Sequence, residues 1–191
     1  KATPNAFMNA AFGFTLSRFS LLRDAVFTTV YNGRSDSRLA ASFTMLVKTL
    51  PVLVRADNGA KIVDFIKATQ NQLMDSMSND IYSFAEVSRE CGIKSDIIFV
   101  YQGDNFNFDS LCGEKALCRT LLPPVAKAPI TLTVNVVGNA FEVEAEYSNK
   151  LFSSAYIAAF LGAMEQAVYQ FLKGDVLKDI SLLSPETERR L

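Results

Sequence analysis

Histidine is absent from this sequence. With it go the commonest proton carrier of enzyme sites and every serine–histidine or cysteine–histidine pair. Cysteine is scarce. Cys91, Cys112 and Cys118 are odd in number and lack Cys-x-x-Cys spacing, so all three read as free, structural thiols and no metal site can be argued. An excess of charge of one sign is also missing, since the formal net charge is −1, which argues against a nucleic-acid or membrane-surface partner. No apolar run approaches the roughly 20 residues of a membrane helix. The N-terminal Lys-Ala-Thr-Pro has no signal-peptide pattern, so the expected setting is cytoplasmic. The first residue is not Met, and the sequence reads as a segment of a longer polypeptide.

What is present is apolar: 49% of the residues are hydrophobic and only 20% charged. A chain of 191 residues is expected to form a single domain that buries about 70% of its unfolded surface. The stretch 43–56 organises the reading. Its consecutive apolar residues, Leu50 to Val54, suit a strand buried on both faces, with Pro51 confined to the strand's start or to a sheet edge. Residues 24–32 form a second strand, with Val26, Thr28 and Val30 on one face and Phe27, Thr29 and Tyr31 on the other. A largely buried helix over 5–19, weakened by Gly13, precedes it.

Ile62, Phe65, Ile66, Leu73 and Met77 share one stripe of an amphipathic helix over 60–77. A shorter helix over 83–91 carries a capping box, Ser83 with Glu86, and stops at Gly92. Ile97 to Gln102 make a third strand, and the resulting βααβ order suits a layered α/β domain. Residues 103–129 mix turn residues with Phe106, Phe108, Leu111, Leu121 and Leu122, without a clean period before a strand at 116–122. The segments 130–137 and 140–148 flank Gly138-Asn139 as a hairpin, with Glu142, Glu144 and Glu146 on its solvated face. A helix over 154–173 is capped by Ser153 and sets Ile157, Leu161, Met164, Val168 and Phe171 on a core stripe; a short strand in the tail completes the chain.

Five short runs stand in a fixed order: Leu16 to Phe19 followed by the strand ending in Gly33-Arg34; Phe43, Val47, Thr49, Leu50 and Pro51; Tyr82-Ser83-Phe84-Ala85; Phe99, Val100, Tyr101 and Gln102; and the tail 180–191. In this order the pieces resemble the C-terminal half of a nonribosomal peptide synthetase condensation domain, of the chloramphenicol-acetyltransferase-like fold. Departures are Lys48 for a usual Asn, Ser83 for Pro, Ala85 for Glu, and a missing Arg-Asn-Pro around Lys94 to Asp96. The resemblance implies a mixed sheet flanked by helices. It implies one wall of a tunnel in which carrier-bound amino acyl and peptidyl thioesters are joined by amide bond formation. It implies that no cofactor is bound directly and that phosphopantetheine arrives on partner carrier domains. The family's catalytic His-His-x-x-x-Asp-Gly belongs to the N-terminal half, so this chain alone is expected to be inactive, while an epimerization-type or non-catalytic carrier-binding member of the same fold stays open. The implied partners are that N-terminal half and the peptidyl carrier domains. An arm at 103–129 that has lost its packing against that half is expected to be mobile or to make an intermolecular contact, and the isolated half to self-associate.

Asn32, Gly33, Arg34, Lys48, Thr49, Tyr101 and Gln102 are the candidate tunnel residues, six of them expected at a common end of the sheet, where α/β folds build sites. Each of the side chains able to bond a substrate has a structural alternative. Arg34 either faces the tunnel or holds a loop by an ion pair, and Lys48 either meets an anionic group or snorkels to water. Tyr101 and Gln102 either bond a pantetheine amide or satisfy nearby backbone.

Overall fold

The computed structural model describes residues 1–34, 37–39, 41–94, 96–103, 110–111, 114–115, 126 and 128–183. Helix α1 (Pro4–Ser20) begins where the Thr3 hydroxyl accepts from the Ala6 N–H and proline fills the first position, which has no intrahelical bond to lose. It ends at Leu21 in a left-handed conformation, φ 56°. Strands β1 (Asp24–Tyr31) and β2 (Lys48–Arg55), helices α2 (Ile62–Ser78) and α3 (Phe84–Cys91), and β3 (Ile97–Gly103) follow. After the short β4 (Ser110–Leu111) and β5 (Glu114–Lys115) come the hairpin β6 (Ile130–Val137) and β7 (Ala140–Tyr147) and then α4 (Ser154–Phe171).

The five-stranded sheet has the order β2-β1-β3-β6-β7. Its inner pairs β1·β3 and β3·β6 are parallel and its outer pairs antiparallel, so the layered mixed sheet anticipated from the pattern is present. Helix α1 lies against β1, β2 and β3, and both α2 and α4 pack on it. Ala25, Phe27, Thr29 and Tyr31 alternate toward this helix layer, joined by Leu50, Val52 and Val54, by Phe99, and by Leu132 and Val134, all buried. The core centres on Phe12, whose ring meets Phe27 edge-on at 4.9 Å, stacks on Phe99 at 4.8 Å and meets Phe160 at 5.8 Å.

Local signals set several boundaries. The Ser83 hydroxyl accepts from the Glu86 N–H while the Glu86 carboxylate accepts from the Ser83 N–H and hydroxyl, and Gly92 closes α3 at φ 66°. The two bonds to the carboxylate, the backbone one first, hold the Glu86 carboxyl below the usual carboxylate range. A lowered carboxylate contributes stability above its unfolded pKa and loses it as acid protonates the folded group.

Two expectations are corrected. Strand β2 is not buried on both faces: it is an edge strand with β1 as its only partner among the described residues, and Thr49, Pro51 and Leu53 are half-buried while Leu50, Val52 and Val54 are covered by the helices. A run of consecutive apolar residues does not reveal that cover lies on one side alone. The edge position is the one Pro51 requires. The tail forms a 3₁₀ turn, Leu177–Asp179, rather than a strand; a lone bridge joins Val176 to Lys61, and the chain then drops Leu177 fully into the core. The strand expected at 116–122 and most of the 103–129 arm lie outside the described residues.

Gly13 proves to be a contact rather than a weakness. A Cβ built there would lie 2.5 Å from Val54 Cγ2, so α1 comes this close to β2 only because the residue has no side chain. Alanine would gain about 1 kcal/mol of helix propensity, but relieving the overlap costs about 1–3 kcal/mol. Gly13→Ala is therefore expected to lower the melting temperature, and Val54→Ala added to it to recover part of the loss in a double-mutant cycle. Additive losses would show that the close approach is not limiting.

Candidate functional site

The register brings the candidate residues to one end of the sheet. Tyr31 lies opposite Lys48 and Val30 opposite Thr49, while β3 runs parallel to β1 with Phe99 beside Thr29. The ends of β1 and β3 and the start of β2 therefore share a rim that carries Asn32, Gly33, Arg34, Lys48, Thr49, Tyr101 and Gln102.

Asn32, Gly33 and Arg34 form a locked corner. The Asn32 side-chain oxygen accepts from the Arg34 N–H at 3.0 Å, the kind of local side-chain bond that turns a chain. Gly33 has φ 68°, and a Cβ there would meet the Leu46 carbonyl oxygen at 2.0 Å. The Arg34 guanidinium donates to the carbonyls of Leu39 at 2.7 Å, Ser42 at 3.0 Å and Thr44 at 2.8 Å. It holds the loop, as its structural alternative supposed, through backbone carbonyls instead of the ion pair that alternative named.

Lys48 is partly exposed and is held by an acidic partner. Its Nζ pairs with the Asp80 carboxylate at 3.2 Å and also donates to the Asp80 carbonyl, clipping the start of β2 to the α2–α3 connection. Thr49 is half-buried on the sheet face away from the helices. Tyr101 packs against the hydrophobic core. Gln102 is the extra residue of a bulge, because Tyr101 pairs with Val134 and Gly103 with Asn135. Bulges re-aim side chains at sheet ends. The rim is thus a set of braced backbone corners that carries the Thr49 hydroxyl, the Tyr101 phenol and the Gln102 amide as hydrogen-bonding groups.

Among the described residues no cluster of three or more His, Cys, Asp or Glu side chains could hold a metal ion. Cys91 is free, as expected, and exposed at the end of α3, and Cys112 and Cys118 fall outside the described residues. No described helix is long and apolar enough to cross a membrane.

Sequence reasoning missed a groove of about 1210 Å³ over the helix layer, between Phe141 and Val143 of β7, Ala158, Leu161 and Gly162 of α4, and the start of α1. Helical spacing sets Leu161 and Val168 on a core stripe. Both are only partly buried and line the groove, since nothing in spacing tells a covered stripe from one left facing a gap.

A mixed sheet layered by helices, with its polar rim at the ends of β1 and β3, is a layered α/β fold. The family model described as "Condensation domain" matches residues 1–191, and the chain belongs to the condensation domain family of nonribosomal peptide synthetases. It is 23% identical over 201 residues to a component of the plipastatin synthase of Bacillus subtilis, covering 98% of this chain and 8% of that protein. It is 25% identical over 194 residues to gramicidin S synthase 2 of Brevibacillus brevis, covering 95% and 4%. Among solved structures, holo-AB3403, a four-domain nonribosomal peptide synthetase, superposes with a TM-score of 0.79 at 16% identity, over 98% of this chain and 16% of that one. The starter condensation domain of the rhizomide synthetase RzmA, in a mutant form, superposes with a TM-score of 0.78 at 17% identity, over 96% and 47%. The chain thus spans a small part of the synthetases it matches and a little under half of that condensation domain structure.

Proposed function

We propose that this chain is the C-terminal subdomain of a condensation domain, a single unit over 1–191 that supplies one wall of the tunnel where carrier-bound amino acyl and peptidyl thioesters are joined. The observation that carries this reading is a family match along the whole chain combined with a superposition covering 47% of a condensation domain structure, in a sequence without histidine. Its contribution is positioning: a braced rim holds Thr49 and Gln102 where an extended amide-bearing arm can bond them, and orienting an amine against a thioester removes much of the entropic barrier. Phosphopantetheine enters on carrier domains, and the proton-handling residues come from the N-terminal half.

The fold itself is compatible with a purely binding role. A structure with a TM-score of 0.75 to this chain at 12% identity is the X-domain from teicoplanin biosynthesis, in complex with OxyB; a domain of this fold that binds a protein partner makes a non-catalytic carrier-binding module the second reading.

The experiment supplies loaded donor and acceptor carrier proteins and measures the amide product. This chain alone is expected to give none, and adding the N-terminal half of the same domain to restore it. Product from the chain alone would overturn the assignment, because no residue in it replaces a histidine near neutral pH without a large pKa shift. Carrier binding without product from the reunited halves would favour the second reading.

A further inference from the structure

We propose that the outer edge of β7, unpaired among the described residues, is a strand-addition site for an extended peptide segment that alternates basic and apolar residues. This rests on the geometry of β7 and is independent of the condensation reading. Strand β7 has eight residues without proline, glycine or bulge, and among the described residues it pairs with β6 alone. Gly138 takes φ 59° at the first position of the two-residue turn, and Ala140 lies opposite Val137. In such a hairpin the pair flanking the turn exchanges both of its hydrogen bonds, and the alternation continues along the ladder. Ala140, Glu142, Glu144 and Glu146 therefore direct their backbone groups to β6. Phe141, Val143, Ala145 and Tyr147 direct theirs outward, a regular row of donors and acceptors that no described strand takes up.

Long, flat edges of this kind pair with other chains unless something blocks them. Here the surroundings select instead of block. On one face the exposed Glu142 and Glu144 and the half-buried Glu146 form a carboxylate ladder, which favours cations at the matching positions of a neighbouring strand. On the other face the groove of about 1210 Å³ runs between Phe141 and Val143 of β7 and Ala158, Leu161 and Gly162 of α4. No heavy atom lies within 4 Å of where a Gly162 side chain would start. A strand added at the edge would place alternate side chains beside the glutamates and the rest toward this apolar floor, so backbone pairing, charge and pocket act on one ligand. A second copy is the poorer occupant, since antiparallel β7·β7 pairing sets glutamates against glutamates.

The test uses the whole chain and a fluorescent peptide about eight residues long that alternates lysine and valine, with a glutamate–valine peptide as control, read by anisotropy. The lysine peptide is expected to bind saturably and about tenfold or more tighter than the control, from three favourable cross-strand charge pairs, and to weaken with salt. Glu142→Lys, Glu144→Lys and Glu146→Lys together should reverse the preference, and Ala145→Pro, which removes only an outward N–H, should abolish binding of both peptides at unchanged circular dichroism. Absent binding, equal affinity for both peptides, a preference unmoved by the triple variant, or dimers formed in place of the peptide complex would overturn the proposal. If Ala145→Pro fails to fold, the triple variant decides, because it changes side chains outside the core.

Discussion

Replacing Phe12 with alanine is expected to destabilise this chain by about 3–5 kcal/mol and to lower its melting temperature by about 10 °C or more. The side chain is 1% exposed, and its ring contacts Phe27, Phe99 and Phe160, which come from β1, β3 and α4. One truncation therefore loosens the helix layer and the sheet together. Removing the ring forfeits its transfer free energy and leaves a cavity that rigid neighbours cannot close; it also deletes three aromatic pairs, each worth about 0.5–1.5 kcal/mol beyond area. Phe12→Leu keeps most of the volume and should cost far less. The measurement is thermal denaturation of both variants, and equal melting temperatures for Phe12→Ala and the parent would show that this cluster does not hold the layers together.

The second large effect is expected at Gly33. Alanine there must adopt a left-handed backbone, which costs about 1–3 kcal/mol for a residue with a side chain, and its Cβ would sit 2.0 Å from the Leu46 carbonyl oxygen. Backbone cannot swing aside as a flexible side chain can, so overpacking adds about 1–3 kcal/mol more. Denaturant unfolding should show a loss of about 3 kcal/mol, against a smaller loss for Arg34→Ala, whose half-exposed guanidinium leaves carbonyls that water can reach. In the complete condensation domain the pair also separates corner from chemistry. If Arg34 only braces the loop, activity should fall in step with stability in both variants. Lost activity at an unchanged melting temperature in Arg34→Ala would assign the guanidinium to the tunnel.

Sequence by itself determined the elements whose signals are local. The capping box of Ser83 and Glu86, the Ser153 cap, the stripe of Ile62, Phe65, Ile66 and Leu73, and the turn at Gly138-Asn139 each depend on residues within a few positions of one another, and each stands where the pattern put it. The family was legible for a related reason, since its motifs are short runs in a fixed order. Only the tertiary structure decided which strands neighbour which. A run such as Leu50 to Val54 states that cover exists but not on how many sides, and the helices supply it on one. Likewise Gly13 reads as a weak point until β2 is set 2.5 Å from its missing side chain. Arg34 and Lys48 each keep two readings until the loop carbonyls and Asp80 arrive beside them. The groove beside β7 and the edge above it, unpaired among the described residues, have no local signature at all. Periodicity reports which face of an element is apolar, whereas occupancy of that face depends on residues far away in the chain, brought near only by the strand order.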